Sequence, residues 1–258
     1  MKIGLAGWAI VHRFKDEANP LQLLDYFRVA KEEMGIDTVE LNNVFMASHD
    51  DAYLQQIVDA ANEAGVEMIG MAVDGTGDLS LTDEEQRKHS VANAMEYFDI
   101  SEKLGLQYFR VNTGGKPDGG EDSIQACIRS FRELGEEGQR RGIAIATENH
   151  GGLSYNPDVM VRIVKETGLP SVRTLPDFGN FPEEIRYEGI EKIMPYAIAV
   201  HAKWHLQDGT RFDIPRLMDI VKRSGFDGVV CIEDSGKRFG KDDRDGILEL
   251  KAEIEKCL

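Results

Sequence analysis

Gly142-Ile143-Ala144-Ile145-Ala146-Thr147-Glu148-Asn149-His150 is the stretch on which the fold turns. A glycine opens it, at the place where a left-handed cap would end a helix. A short apolar run follows, suited to a strand buried on both faces, and three polar residues close it. Upstream, Ile124, Ile128, Phe131 and Leu134 recur at the spacing of an amphipathic helix. Helix, glycine, apolar strand and polar end make one unit, and that unit repeats along the chain.

Working outward, strands are expected near 2–7, 37–41, 66–73, 106–112, 142–148, 172–177, 196–203 and 228–233, with helical patterns between them. Leu21, Leu24, Phe27, Val29 and Ala30 form one such pattern. Gly35, Gly65, Gly105, Gly142, Gly168 and Gly225 stand just ahead of a strand, as helix-ending caps would. Asp83-Glu84-Glu85 and Lys241-Asp242-Asp243-Arg244-Asp245 read as solvated helix starts, with carboxylates favoured by the helix dipole. Short buried strands joined only by helices must pair in parallel. Eight such units close into a (β/α)8 TIM barrel. An open doubly wound sheet competes, yet no glycine-rich dinucleotide fingerprint follows the first strand. No Pro/Ser-rich linker divides the chain, and the glycine-dense Thr113-Gly114-Gly115-Lys116-Pro117-Asp118-Gly119-Gly120 reads as a βα loop. Residues 1–258 are therefore expected to form one α/β domain.

The composition, 41% hydrophobic and 29% charged, suits a soluble protein with a full core. A formal charge of −16 repels phosphate backbones and anionic lipid, so neither nucleic acid nor membrane is an expected partner. Cys127, Cys231 and Cys257 are too few and too far apart for a disulfide framework or a zinc ribbon, which points to a reducing cytoplasm. The briefly apolar N-terminus lacks the pattern of a signal peptide.

In a barrel of this kind the interior is packed and chemistry sits at the C-terminal ends of the strands. There the sequence places Glu40, Asp74, Arg110, Asn112, Glu148, His150, Asp177, Asn180, His201, Lys203, His205 and Glu233. A charge beside a core is costly unless it is paired or binds a metal. Glu148, Asp177, His201 and Glu233 come from four consecutive strands and can surround one point. Three carboxylates and one imidazole form a mainly hard oxygen set, which favours one Mn²⁺, with Mg²⁺, Co²⁺ or Zn²⁺ as alternatives. The competing account of any one of these carboxylates is an internal ion pair with Arg110 or Lys203, and of His201 a hydrogen-bonded core imidazole. Trp8 and Trp204 are candidates for an apolar wall beside a sugar ring, or for ordinary packing.

These strand ends resemble the xylose isomerase-like barrel superfamily. Within it they are most similar to the sugar phosphate isomerase/epimerase branch, which includes tagatose-type ketose epimerases, inosose dehydratases and hydroxypyruvate isomerases. The likeness spans the chain and rests on Glu148-Asn149-His150, Asp177-Phe178-Gly179-Asn180, His201-Ala202-Lys203 and Gly228-Val229-Val230-Cys231-Ile232-Glu233. The resemblance implies the same four metal ligands, Glu148, Asp177, His201 and Glu233. Ketose epimerases usually carry histidine where this chain has Asn180, and the family's seventh strand often continues with aspartate where Trp204 follows Lys203.

The expected activity is that of a metal-dependent isomerase or epimerase of a small sugar, ketose or polyol-derived substrate, moving a proton next to a carbonyl through a metal-stabilised enediolate. Glu148 and Glu233 would be the base and acid on opposite sides of the carbon, consistent with family members in which both residues are ligands and proton carriers. Trp8, Glu40, Arg110, Asn112, His150, Asn180, Lys203 and His205 are the candidate substrate contacts. The same enolate logic serves a dehydratase or lyase, and a sugar-binding barrel without turnover is the non-enzyme alternative. An endonuclease IV type of site fits poorly, since it needs more histidines and a surface that tolerates DNA. The sequence leaves the substrate's stereochemistry and any homo-oligomer open.

Overall fold

The structure is a computed structural model that describes residues 1–204 and 210–258. Eight parallel strands form the sheet: β1 (Lys2–Ala6), β2 (Thr38–Asn42), β3 (Glu67–Ala72), β4 (Tyr108–Arg110), β5 (Ala144–Glu148), β6 (Val172–Leu175), β7 (Ala199–Ala202) and β8 (Val229–Ile232). The ladder runs β6-β5-β4-β3-β2-β1-β8-β7. It ends at β6 because Pro176 has no N–H to continue it. Two parallel bridges, Thr174 to Ala197 and Asp177 to His201, span the remaining seam and bring the barrel nearly to closure. The expected single-domain (β/α)8 barrel is the observed one, with β4, β6 and β7 clearly shorter than the sequence suggested.

Among the described residues, eight α-helices of six residues or more cover the strands: α1 (Leu23–Arg28), α2 (Asp51–Ala64), α3 (Glu84–Leu104), α4 (Glu121–Arg141), α5 (Pro157–Thr167), α6 (Arg186–Ile193), α7 (Ile214–Arg223) and α8 (Asp243–Glu255). Asp50, Asp83, Asn156, Asp213 and Asp242 cap the first turns of α2, α3, α5, α7 and α8 by accepting backbone N–H bonds. At the far end of α4, Gly142 takes φ +72°, a conformation that a side chain disfavours, and turns the chain straight into β5. Gly65, Gly105 and Gly168 end α2, α3 and α5 in the same way.

The main core fills the layer between strands and helices, where Phe98, Phe109, Phe131 and Ile145 are buried. Inside the barrel a smaller cluster joins Ala6, Ile69, Tyr108, Ala146, Leu175, Ala199 and Cys231. Successive residues of a strand face opposite sides, so residues two further along face inward again, one layer higher. That rule carries Tyr108 to Arg110, Ala146 to Glu148, Leu175 to Asp177, Ala199 to His201 and Cys231 to Glu233. The packed interior thus serves as the floor on which the mouth is built.

Candidate metal centre

Each of the four expected ligands is held from one side. Glu148 closes β5; its Oε1 accepts from Asn180 Nδ2 at 2.9 Å, and Arg110 Nε lies 3.1 Å from Oε2. Asp177 follows β6, and its place is set by Asn149. That side chain receives the Asp177 N–H at 2.7 Å and donates to the Asp177 carbonyl at 3.0 Å, standing in for a rung of sheet. Asp177 Oδ1 then accepts the Gly179 N–H at 2.7 Å. His201 stands 2.8 Å from Glu40 Oε1 through Nε2, and Glu233 extends β8 with its N–H on the Ala202 carbonyl.

One atom of each side chain then turns inward. Glu148, Asp177, His201 and Glu233 offer ligand atoms that all lie within 4.8 Å of one another, and all four residues are buried. Glu148 Oε2, Asp177 Oδ2, His201 Nδ1 and Glu233 Oε2 are buried without a hydrogen-bond partner. Buried polar atoms rarely go unbonded, because desolvation is then uncompensated. Four of them converging, three on carboxylates, is the donor set of a site for a hard divalent cation. The residues present fit such an ion.

The charges around the ring are strongly coupled. Burial and the repulsion of Glu233 and Glu148 outweigh Lys203 and push the Asp177 carboxyl up to about 8. Burial also opposes ionisation of Glu148, but Arg110 and His201 prevail and hold it at about 2. Glu233 is drawn well below the carboxylate range, His201 and Lys203 overcoming its burial. Lys203 Nζ lies 2.9 Å from Asp177 Oδ2 and 3.0 Å from Glu233 Oε2, close enough to pair yet poorly aligned for a hydrogen bond. It also donates to Asn180 Oδ1 at 3.1 Å.

The other expected site residues divide by position. Trp8, Asn180 and Lys203 line a cavity of about 700 Å³ that opens over Glu233. Arg110 and Asn112 lie in a bonded group with Asp74: Arg110 Nη1 and Asn112 Nδ2 both donate to Asp74 Oδ1, at 2.8 and 3.1 Å. Glu40, expected at the substrate, is fully buried with its two oxygens on His201 and Tyr108, the latter at 2.5 Å. It is therefore placed to orient the His201 ring. His150 is exposed and lies outside the cavity wall. His205 falls outside the described residues. Trp204 is buried, with its indole N–H on the Gly246 carbonyl, so it packs in the core, and Trp8 stands on the cavity wall with Tyr155 and Phe181.

Tyr108, Asn149, His12 and Arg186 were not picked out from the sequence. Tyr108 had a readable signal, since it sits two residues before Arg110 on the inward face. Its ring reaches Glu40 across β3 because the residue in register between them is Gly70, where a Cβ would collide with that ring.

Residues 27–256 match the family described as xylose isomerase-like TIM barrel. No curated protein matches the chain by sequence. Among solved structures, D-psicose 3-epimerase from Clostridium cellulolyticum H10, determined with D-tagatose, is similar at a TM-score of 0.78 and 16% identity, over 100% of this chain and 98% of that one. The IOLI protein, determined with a bound zinc atom, aligns at 0.79 and 14%, over 100% and 99%. The probable 3-DHS dehydratase AsbF from Bacillus anthracis aligns at 0.75 and 13%, over 99% and 98%. At these identities the likeness is one of fold.

Proposed function

This chain belongs to the xylose isomerase-like TIM barrel family, and on that premise we propose that it is a divalent-metal-dependent isomerase or epimerase of a small sugar or polyol-derived substrate. The observation that carries the reading is the ring of four buried, unbonded ligand atoms below the cavity. Glu148, Asp177, His201 and Glu233 hold the ion, Mn²⁺ by preference for an oxygen-rich set. When bound, the cation supplies Lewis-acid stabilisation of negative charge developing on substrate oxygen.

The chain's own groups do the rest. Glu233 opens onto the cavity and can exchange a proton with a carbon seated there, while Glu148, on β5, is the partner for the opposite side. Asn180 and Lys203 present polar atoms to substrate oxygens, and Trp8 offers a ring face to the sugar's apolar C–H surface. Glu40 fixes the tautomer and tilt of His201 through its 2.8 Å contact, leaving Nδ1 toward the ring.

A second reading follows from Lys203. With Arg110 and His201 it supplies three cationic groups among Glu148, Asp177 and Glu233, as in an ion-pair network that needs no metal. Titration with Mn²⁺ followed by electron paramagnetic resonance separates the two: the metal reading expects one ion per chain in the wild type and none in Glu148→Gln. The Mn²⁺-loaded protein is then incubated in D₂O with D-psicose, D-tagatose and D-fructose. Deuterium entering carbon without loss of water supports isomerisation. An unsaturated, ultraviolet-absorbing product would replace it with a dehydratase, and no metal uptake would leave the ion-pair network.

A further inference from the structure

Arg186 opens α6 and lines the same cavity as Glu233 and Lys203, and only 2% of its surface is exposed. Among the described residues it stands in no ion pair. Glu183 shares the wall, and Glu184 and Asp177 contribute at longer range, but no carboxylate reaches ion-pair distance. The guanidinium has two neighbours of note: its Nη2 donates to the Phe181 carbonyl at 3.1 Å, and its plane lies over the Phe212 ring at 4.6 Å. Its Nε is buried with no hydrogen-bond partner.

Three physical arguments make this an unusual place for a cation. A buried charge without a counter-ion loses its hydration uncompensated. The first turn of a helix is the positive end of its dipole, which disfavours a cation and favours an anion. Burial accordingly pulls the guanidinium pKa down from its ordinary value. Among the described residues the guanidinium's two close contacts, the Phe181 carbonyl and the face of the Phe212 ring, leave its charge without a counter-ion. What the charge, the free Nε–H and the helix start share is affinity for an oxyanion, for which a planar fork of donors is well shaped. Lys237 adds a further positive group to the same wall, where Arg238 is paired with Asp234, in a chain whose formal charge is −16.

We propose that Arg186 is a specificity-determining residue that receives a carboxylate or phosphate group of the substrate, so that the cavity takes an acidic or phosphorylated sugar rather than a neutral one. The proposal rests on the sugar reading of this cavity and adds a charge to its substrate.

The test uses the full chain, both after chelation and loaded with Mn²⁺, so that anion binding to the metal is separated from binding at Arg186. Inorganic phosphate, D-gluconate and neutral D-fructose are titrated by calorimetry and thermal shift into the wild type, Arg186→Met and Arg186→Gln. The second variant keeps a donor for the Phe181 carbonyl. In chelated wild type at least one of the two anions binds, and whichever binds more tightly identifies phosphate or carboxylate as the group. Both variants bind that anion at least tenfold more weakly while retaining Mn²⁺. They melt no lower than wild type without anion, because removing an unpaired buried charge relieves a penalty. The proposal is overturned if neither anion binds the wild type, if the variants bind the anion as well as it does, or if neither variant folds, which would make the cation structural. Failure of the wild type to bind Mn²⁺ would overturn the metal reading alone and leave the anion result standing.

Discussion

The two halves of the barrel mouth are built from similar side chains and solve burial differently. On the side of β2 to β4, Glu40, Asp74, Arg110 and Asn112 bond one another, Tyr108 or the backbone. Arg110 Nη1 alone meets Asp74, Asn112 and the Val73 carbonyl. On the side of β5 to β8, four buried ligand atoms face one another unbonded, with an ammonium nearby. The first half is bonded within itself except at Arg110 Nε and Asn42 Oδ1, and the second leaves four converging atoms that could hold a metal ion. The three carboxylate oxygens have Arg110 Nε or Lys203 Nζ within 3.1 Å, yet none of the four atoms makes a hydrogen bond, and a buried polar group without one costs about 1–3 kcal/mol. The two halves meet at His201, whose Nε2 belongs to the bonded side through Glu40 and whose Nδ1 belongs to the open one.

Substitution on the open side carries the largest expected effect. On the proposed function, Glu148→Gln and Glu233→Gln keep the fold but remove a ligand and a proton carrier together. Deuterium exchange into a ketose should fall by roughly 10²–10⁴-fold, with an unchanged circular dichroism spectrum. Retained exchange would move the chemistry elsewhere. Breaking the bonded side acts on stability. Arg110→Met strips Glu148 and Asp74 of their cation, and loss of one partner of a buried pair costs about 3–5 kcal/mol, read as a lower urea midpoint. A variant as stable as wild type would show that the network is not worth its charges.

The link between the halves gives an intermediate effect. Glu40→Gln loosens the hold on His201 and should weaken Mn²⁺ binding by about 10–100-fold. Gly70→Ala, which pushes the Tyr108 ring away from Glu40, should move affinity in the same direction. Unchanged binding in both would make Glu40 a mere occupant of the core.

The smallest expected effect lies beside the cavity, outside the ring of four, where Asp243 at the start of α8 pairs with Arg13 at 2.5 Å and with His12, a residue of the cavity wall, at 3.0 Å. Burial raises its pKa, but Arg13 and His12 prevail and the carboxyl is depressed. A depressed carboxyl contributes stability that is complete above its unfolded value, about 3.9, and is lost as pH falls through the folded one. The gap in urea midpoint between wild type and Asp243→Asn should therefore be widest at neutral pH and shrink below about pH 4. A gap that does not change with acid would mean the pair adds nothing.

Much of this was legible in the chain. Apolar runs ending in polar residues marked all eight strands, and glycines at helix ends marked the turns, because both report local backbone geometry. The convergence of Glu148, Asp177, His201 and Glu233 was legible because inward facing alternates along a strand, so a carboxylate just past a buried run has one place to go. Boundaries slipped where a residue inside the expected run cannot continue the ladder, as at Pro176. His150 follows Glu148 and Asn149 in sequence but turns out to solvent, since the chain leaves β5 there.

What the sequence alone determined is the barrel and the four residues that converge on its mouth, since each depends on periodicity within a single strand. Which polar atoms would end up satisfied was decided only by the tertiary structure. Glu40 meets His201 across 161 positions and Tyr108 across 68, over the gap left by Gly70. Arg186 comes to the cavity wall with no carboxylate at ion-pair distance among the described residues. Hydrogen bonds and ion pairs are set by distances of a few ångströms between strands far apart in sequence, and those distances exist only once the barrel has closed.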